Sequence, residues 1–285
     1  MNKLGGFIRL TRPVNCAMMG FAVFVGALLA TTQPQMHWLN IVFGFFTGFL
    51  LCAAAMTIND YYDRAIDAVN EPTRPIPSGL VSVKQALTFV FGLTVAGLVL
   101  AYYSNSSNIL CLIVAAIAWI ITVSYVTVGK RSGLPGNFLV STCVAIPFIY
   151  GSIAVTGGLQ INVLLFALMA FLSNTGREIT KGIVDVKGDS AEGIKTLAVR
   201  YGEKKAAISA ALFYISAVGL TPIPLIFGLV SFWFIPFVLV TDIGLVACSV
   251  FLLKDYSREN SRKIKNLVLL WFIFGLLAYI FGSIK

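Results

Sequence analysis

Cations in this chain occupy only alternate connections between long apolar runs, and that pattern restricts the fold more than any motif does. The runs lie near residues 14–32, 38–58, 85–103, 109–128, 134–154, 161–180 and 264–282. A further run, 206–253, is long enough for two crossings. It holds Pro222, Pro224 and Pro236, and its internal turn is not placed by the pattern. About 20 apolar residues cross a bilayer as a helix, which satisfies its own backbone hydrogen bonds in lipid. Composition agrees: 58% of residues are hydrophobic, mean hydropathy is +0.88 and only 12% are charged, against about 25% in soluble domains. Such a chain cannot build a polar surface. The expectation is an all-α membrane protein with nine transmembrane helices in a single bundle, forming one domain over residues 1–285.

The cations test that count. Lys3, Arg9 and Arg12 precede the first run, and Arg64, Arg74 and Lys84 follow the second. Lys130 and Arg131 follow the fourth. Arg177, Lys181, Lys187, Lys195, Arg200, Lys204 and Lys205 follow the sixth, and Lys254, Arg258, Arg262, Lys263 and Lys265 precede the last. The alternate connections TTQPQMHW, SNSSN and TGGLQIN hold none. Of 21 Lys and Arg residues, only Lys285 falls on the other side. Cytoplasmic loops collect Lys and Arg, so nine crossings put the N-terminus in the cytoplasm and the C-terminus outside. The first run is too long for a signal-peptide core, and no clear cleavage site follows it. A net charge of +9 suits the anionic inner leaflet of a plasma membrane and implies no nucleic acid. Cys16, Cys52, Cys111, Cys143 and Cys248 lie in different runs without metal-ligand spacing. The lone His37 falls on the outer side, which argues against histidine catalysis. No soluble domain or linker suggests an obligatory protein partner.

Two cytoplasmic loops carry the chemistry. The first reads NDYYDRAIDAVNEPTRPIPSG, residues 59–79. Asn59, Asp63 and Asp67 are spaced i, i+4, i+8. If the second helix continues beyond the membrane, they share one face, with Asp60 beside them. The second loop reads REITKGIVDVKGD, in which Lys181, Asp185 and Asp189 repeat the spacing. The offset of 122 positions from Asn59 to Lys181 suggests a weak duplication of a four-helix unit. Facing stripes would pool up to five aspartates, which converge only when cations neutralise them. Hard oxygen ligands without His or Cys point to Mg²⁺, which keeps waters or takes substrate phosphates as its other ligands. Arg12, Asn15, Arg64, Arg74, Arg177, Lys181, Lys187 and Lys195 surround these loops. Such residues could hold diphosphate oxygens or a second anionic substrate, and equally could serve as topology signals. Pro75 and Pro77 stop the helix, and Ser82 with Gln85 reads as a capping box opening the next one, so the loop is expected to be ordered. Asp242 lies in the middle of an apolar run, where charge is costly, and no partner for it is evident.

These two motifs resemble those of the UbiA superfamily of intramembrane prenyltransferases. The first is similar to N/D-x-x-x-D-x-x-x-D followed by a Pro-containing turn, and the second to K-x-x-x-D-x-x-x-D. The resemblance covers most of the chain. It implies a prenyl diphosphate whose tail lies among the helices and whose head binds Mg²⁺ held by Asn59, Asp63, Asp67, Asp185 and Asp189. Asp63, Asp67, Asp185, Asp189 and Lys181 would be catalytic, with Asp60 supporting the first site and Arg74 and Lys181 on the diphosphate. REITK ahead of DVKGD most resembles the archaeal ether-lipid branch. That branch moves a geranylgeranyl group from geranylgeranyl diphosphate to geranylgeranylglyceryl phosphate. Arg12, Arg177, Lys187 and Lys195 are candidates for the acceptor phosphate, with no choice among them. The first motif is also close to that of chlorophyll synthases, and other members prenylate aromatic acids such as 4-hydroxybenzoate. A cation transporter is the reading from a different class. Its sites usually lie near the bilayer midplane, whereas these carboxylates lie at helix ends.

Overall fold

The computed structural model describes residues 3–31 and 37–284, the Asn70 side chain excepted. The end of the first run at Thr32, most of the TTQPQMHW connection and Lys285 lie outside the described residues. Thirteen α-helices follow one another with no strand among the described residues: α1 (Lys3–Thr11), α2 (Pro13–Ala30), α3 (Trp38–Asn70), α4 (Val83–Ser104), α5 (Leu110–Thr127), α6 (Leu134–Thr156), α7 (Ile161–Val184), α8 (Val186–Ala191), α9 (Leu197–Tyr201), α10 (Glu203–Leu220), α11 (Pro222–Ile226), α12 (Phe234–Lys254) and α13 (Arg258–Gly282). Eight stretches among the described residues are long and apolar enough to cross a membrane: α2 to α6, α10 with α11, α12 and α13. The sixth predicted span, α7, is not among them, because its second half carries Asn174, Arg177, Glu178 and Lys181. The turn that the sequence left unplaced falls between α10 and α12, where Pro222 opens the short α11. Proline suits a first helical position because its missing N–H would be unpaired there anyway.

The fold resolves into two compact units, and the division falls within α6, beside Pro147. The first unit contains α1 to α5 and the Ile146–Leu159 segment. Its core joins Val23, Ala101, Cys111, Ala115, Tyr150, Ile153 and Ala154. Gly26 on α2 and Gly151 on α6 let the two backbones approach so closely that a Cβ at either would strike main-chain atoms of the other helix, as small residues do between membrane helices. The last carbonyls of α6, which have no partner within the helix, receive side-chain amides instead. Asn40 donates to the Ala154 carbonyl at 2.8 Å, and Asn108 donates to that of Gly157 at 3.1 Å.

The second unit contains the Val128–Ala145 segment and α7 to α13. Alanines on α10 (Ala206, Ala207 and Ala210) pack with Ile179, Ile183, Leu252 and Val268. Tyr214 is wholly buried there, and its hydroxyl lies 3.0 Å from the Thr180 hydroxyl, as a buried phenol requires. Asp242 on α12, for which the sequence offered no partner, accepts a 2.7 Å hydrogen bond from the Thr221 hydroxyl.

Candidate active site

The first motif stands on an unbroken helix. At 33 residues, α3 is about 50 Å long, well beyond the roughly 30 Å apolar thickness of a bilayer. Its last turns therefore project past the apolar segment and carry the carboxylates with them. The expected face exists: Asn59 donates to Asp63 Oδ2 at 2.9 Å, one turn on. Asp60 and Asp67 are buried, and arginines meet both. Arg12 reaches Asp60 at 2.6 Å, while Arg74 bonds Asp67 at 2.7 Å and lies 3.6 Å from Asp60. Asp60 is thus shared by two guanidiniums, one from before it in the sequence and one from after it.

Two local devices bring those arginines in. Between α1 and α2, Arg12 adopts φ 49° and ψ 69°, the one non-glycine positive φ among the described residues. This left-handed conformation costs about 1–2 kcal/mol, and it separates α1 from the apolar helix it would otherwise extend. Arg74 sits in the turn that follows α3. Ser78 N–H bonds the Arg74 carbonyl, and Val81 N–H bonds the Pro75 carbonyl. Ile76 and Val81 pack with Leu10 of α1. The capping box is present, with Ser82 accepting from Gln85 N–H and the Gln85 side chain accepting from Ser82 N–H. The loop carries the turn and cap hydrogen bonds that its sequence predicts.

The second motif differs. The stripe expected at the end of α7 is interrupted: α7 stops at Val184, Asp185 is its C-cap at φ −99° and ψ 8°, and the short α8 begins at once. Hydrogen bonds from Asp185 N–H to the Lys181 carbonyl and from Asp189 N–H to the Asp185 carbonyl bridge the break. The i, i+4, i+8 relation therefore survives without one continuous helix. Lys181 bonds Glu178 at 3.3 Å, and Arg177 bonds the same carboxylate at 3.3 Å. Arg177 also donates to the Lys265 carbonyl of α13. Burial, then the neighbouring Asp185 and Glu192, hold the Asp189 carboxyl above its usual range, while Lys181 and a bond from Thr196 work the other way.

The remaining candidates are spread around these motifs. Arg64 bonds the Tyr61 carbonyl and lies over the Tyr61 ring at 4.4 Å. Asn15 approaches the Met56 sulfur at 3.9 Å. Lys187 and Lys195 are exposed. The sequence reading missed Glu178 as the shared partner of Arg177 and Lys181. Its signal was present, since Glu three residues before Lys on a helix places the two side by side.

The donor chemistry suits Mg²⁺: hard oxygens, with no His or Cys among them. No group of three or more His, Cys, Asp or Glu among the described residues is placed to hold an ion unaided. An ion here would complete its sphere with water or phosphate oxygens, as Mg²⁺ habitually does.

Residues 19–277 match the UbiA prenyltransferase family. The chain belongs to that family. It is similar to the digeranylgeranylglyceryl phosphate synthase of Korarchaeum cryptofilum, with 34% identity over all of this chain and 99% of that one. It is also similar to a solved structure of a digeranylgeranylglyceryl phosphate synthase in membranes, at a TM-score of 0.89 and 32% identity, with both chains fully covered. A UbiA homologue from Archaeoglobus fulgidus, solved bound to GPP and Mg²⁺, shares the fold at a TM-score of 0.64 and 18% identity, covering 96% of this chain and 99% of that one.

Proposed function

We propose that the protein transfers a geranylgeranyl group from geranylgeranyl diphosphate to the free glycerol hydroxyl of geranylgeranylglyceryl phosphate, releasing diphosphate. The observation that carries this is the arginine–carboxylate network around Asp60 and Asp67, a charged cluster on a helix end leading out of an apolar segment. Full-length similarity to synthases of that name supports the acceptor. The domain is residues 1–285, and α7 is a ninth crossing, its charged second half turned to the reaction rather than to lipid. Nine crossings carry the one-sided cations into the cytoplasm with the N-terminus. The reaction then sits at the inner face of the plasma membrane.

The ligands assigned to Mg²⁺ are Asn59, Asp63 and Asp67 in the first motif and Asp185 and Asp189 in the second. The ion supplies positive charge toward diphosphate oxygens. Arg74 and Lys181 are the protein's own donors to the diphosphate. The bond between prenyl C1 and oxygen breaks, and its electron pair leaves with the diphosphate. The acceptor oxygen then bonds C1, and its proton goes to a motif carboxylate or to the released diphosphate. Stabilising charge that develops on a leaving group is worth more than binding substrate and transition state alike. Arg12, Arg177, Lys187 and Lys195 remain the candidates for the acceptor phosphate, and Asn15 and Arg64 flank the first motif.

The test is a competition. Purified protein receives geranylgeranyl diphosphate and Mg²⁺, with geranylgeranylglyceryl phosphate and 4-hydroxybenzoate offered together. A diether phosphate, identified by mass and abolished by EDTA, is the expected product. A prenylated aromatic acid would keep the chemistry and overturn the acceptor.

A further inference from the structure

Between α1 and α4 lies an open groove of about 740 Å³, and none of the residues assigned above to prenyl transfer lines it. Leu4 and Ile8 line one side, and Phe89, Gly92 and Leu93 the other. Phe7 crosses its floor, edge-on to Phe89 with ring centroids 4.9 Å apart. The groove is charged only where α4 begins, at Lys84. From Lys84 to Leu93 it runs about 13 Å along α4. We propose that this groove binds one anionic membrane lipid, its phosphate on Lys84 and its hydrocarbon chain along α4, and that the lipid holds α1 against the loop carrying Arg74.

Charge and shape select this occupant. α1 has Lys3 and Arg9 but no acidic residue in its sequence KLGGFIRLT, which suits an anionic leaflet. Lys84 stands in the first turn of α4, where the helix dipole disfavours a cation. None of the ion pairs found among the described residues uses it. Leu4 and Ile8 are 68% and 51% exposed, apolar surface beside an α4 long and apolar enough to cross a membrane. A Cβ at Gly92 would meet nothing within 4 Å. The volume falls in the range of small-ligand sites.

The opposite face of α1 explains why occupancy matters. Gly6 lies against Leu80 and Val81, so closely that a Cβ there would crowd both. Leu10 is fully buried with Ile76 and Val81. Two residues after Leu10, Arg12 reaches Asp60. One short helix therefore touches the groove on one side and the motif loop on the other.

The experiment does not depend on which acceptor the enzyme uses. Detergent-purified protein is titrated with dioleoyl phosphatidylglycerol or dioleoyl phosphatidylcholine. Retained lipid is counted by native mass spectrometry, and Tm is recorded alongside. One phosphatidylglycerol retained in preference to phosphatidylcholine, together with a rise in Tm, is expected. Gly92→Phe should remove that one lipid and the lipid-induced rise. It replaces a glycine within a helix, so the lipid-free fold should not suffer. Lys84→Gln should weaken binding about fivefold, the effect of one lysine near an anionic surface. Equal retention of both lipids, or an unchanged lipid count in Gly92→Phe, would overturn the site. Loss of the lipid in Gly92→Phe with the rise in Tm unaltered would overturn the bracing of the loop.

Discussion

The two aspartate motifs share a spacing but are built on opposite principles. At the first, α3 runs on unbroken, and the buried Asp60 and Asp67 are already neutralised by Arg12 and Arg74. At the second, the helix breaks at Asp185, and the motif's own Lys181, with Arg177, is paired with Glu178. The first motif is therefore tied into the stability of its unit. The second carries crowded carboxylates, Asp185 and Glu192 adding to the burial that raises the Asp189 pKa. A buried charge pair that loses one partner leaves the other uncompensated, whereas an exposed pair contributes little.

The largest effect should come from removing a motif carboxylate in either unit. Asp63→Ala and Asp185→Ala are each expected to lower turnover by about 10²–10³-fold or more, while folded protein is still recovered in detergent. Full activity in either variant would break the proposal that both motifs serve the reaction.

A stability comparison sharpens the contrast. Arg74→Ala should cost about 2 kcal/mol, less than a fully enclosed pair would, because the Arg74 side chain is 32% exposed. Lys181→Ala, 46% exposed and bonded to Glu178, should cost under about 1 kcal/mol and still impair turnover. Thermal unfolding of the two variants, set beside product formation, checks both halves. Equal losses of Tm would remove the distinction.

The smallest effect concerns pH. Asp189 has its pKa raised in the folded chain, so the folded state holds its proton more tightly than the unfolded one does. That contribution to stability is present at low pH and is lost as pH rises from the ordinary carboxyl value of 3.8 through the raised one. Mg²⁺ competes with that proton. The gain in Tm on adding Mg²⁺ should therefore grow as pH increases through this window. Asp189→Asn should flatten the dependence, and a gain independent of pH would separate Asp189 from the ion.

Local signals in the sequence were read reliably. The capping box at Ser82 and Gln85 needs only neighbouring residues; the end of α3 was expected from Pro75 and Pro77, but the helix already stops at Asn70, ahead of Pro72. The continuation of α3 beyond its apolar stretch followed from helical spacing, and eight of the nine expected crossing segments are found among the described residues, α7 being the exception. The break at Asp185 was not legible, because the GIVDVKGD stretch has helix-compatible spacing and no proline. The separation of α1 was not read either, although its signal was present: Pro13 opens α2, and the residue before a proline is kept out of the α region.

What the sequence determined alone was therefore the solvent of this protein and the chemistry of its motifs. Hydropathy points to lipid, and oxygen donors without His or Cys suit a hard cation rather than a soft one. Only the tertiary structure decided which charges meet. Arg12 and Asp60 are 48 positions apart, and Asp242 and Thr221 are 21 apart. Such pairs form because helices pack side by side in a medium where a lone charge or hydroxyl is expensive. No local rule names the partner that packing will supply.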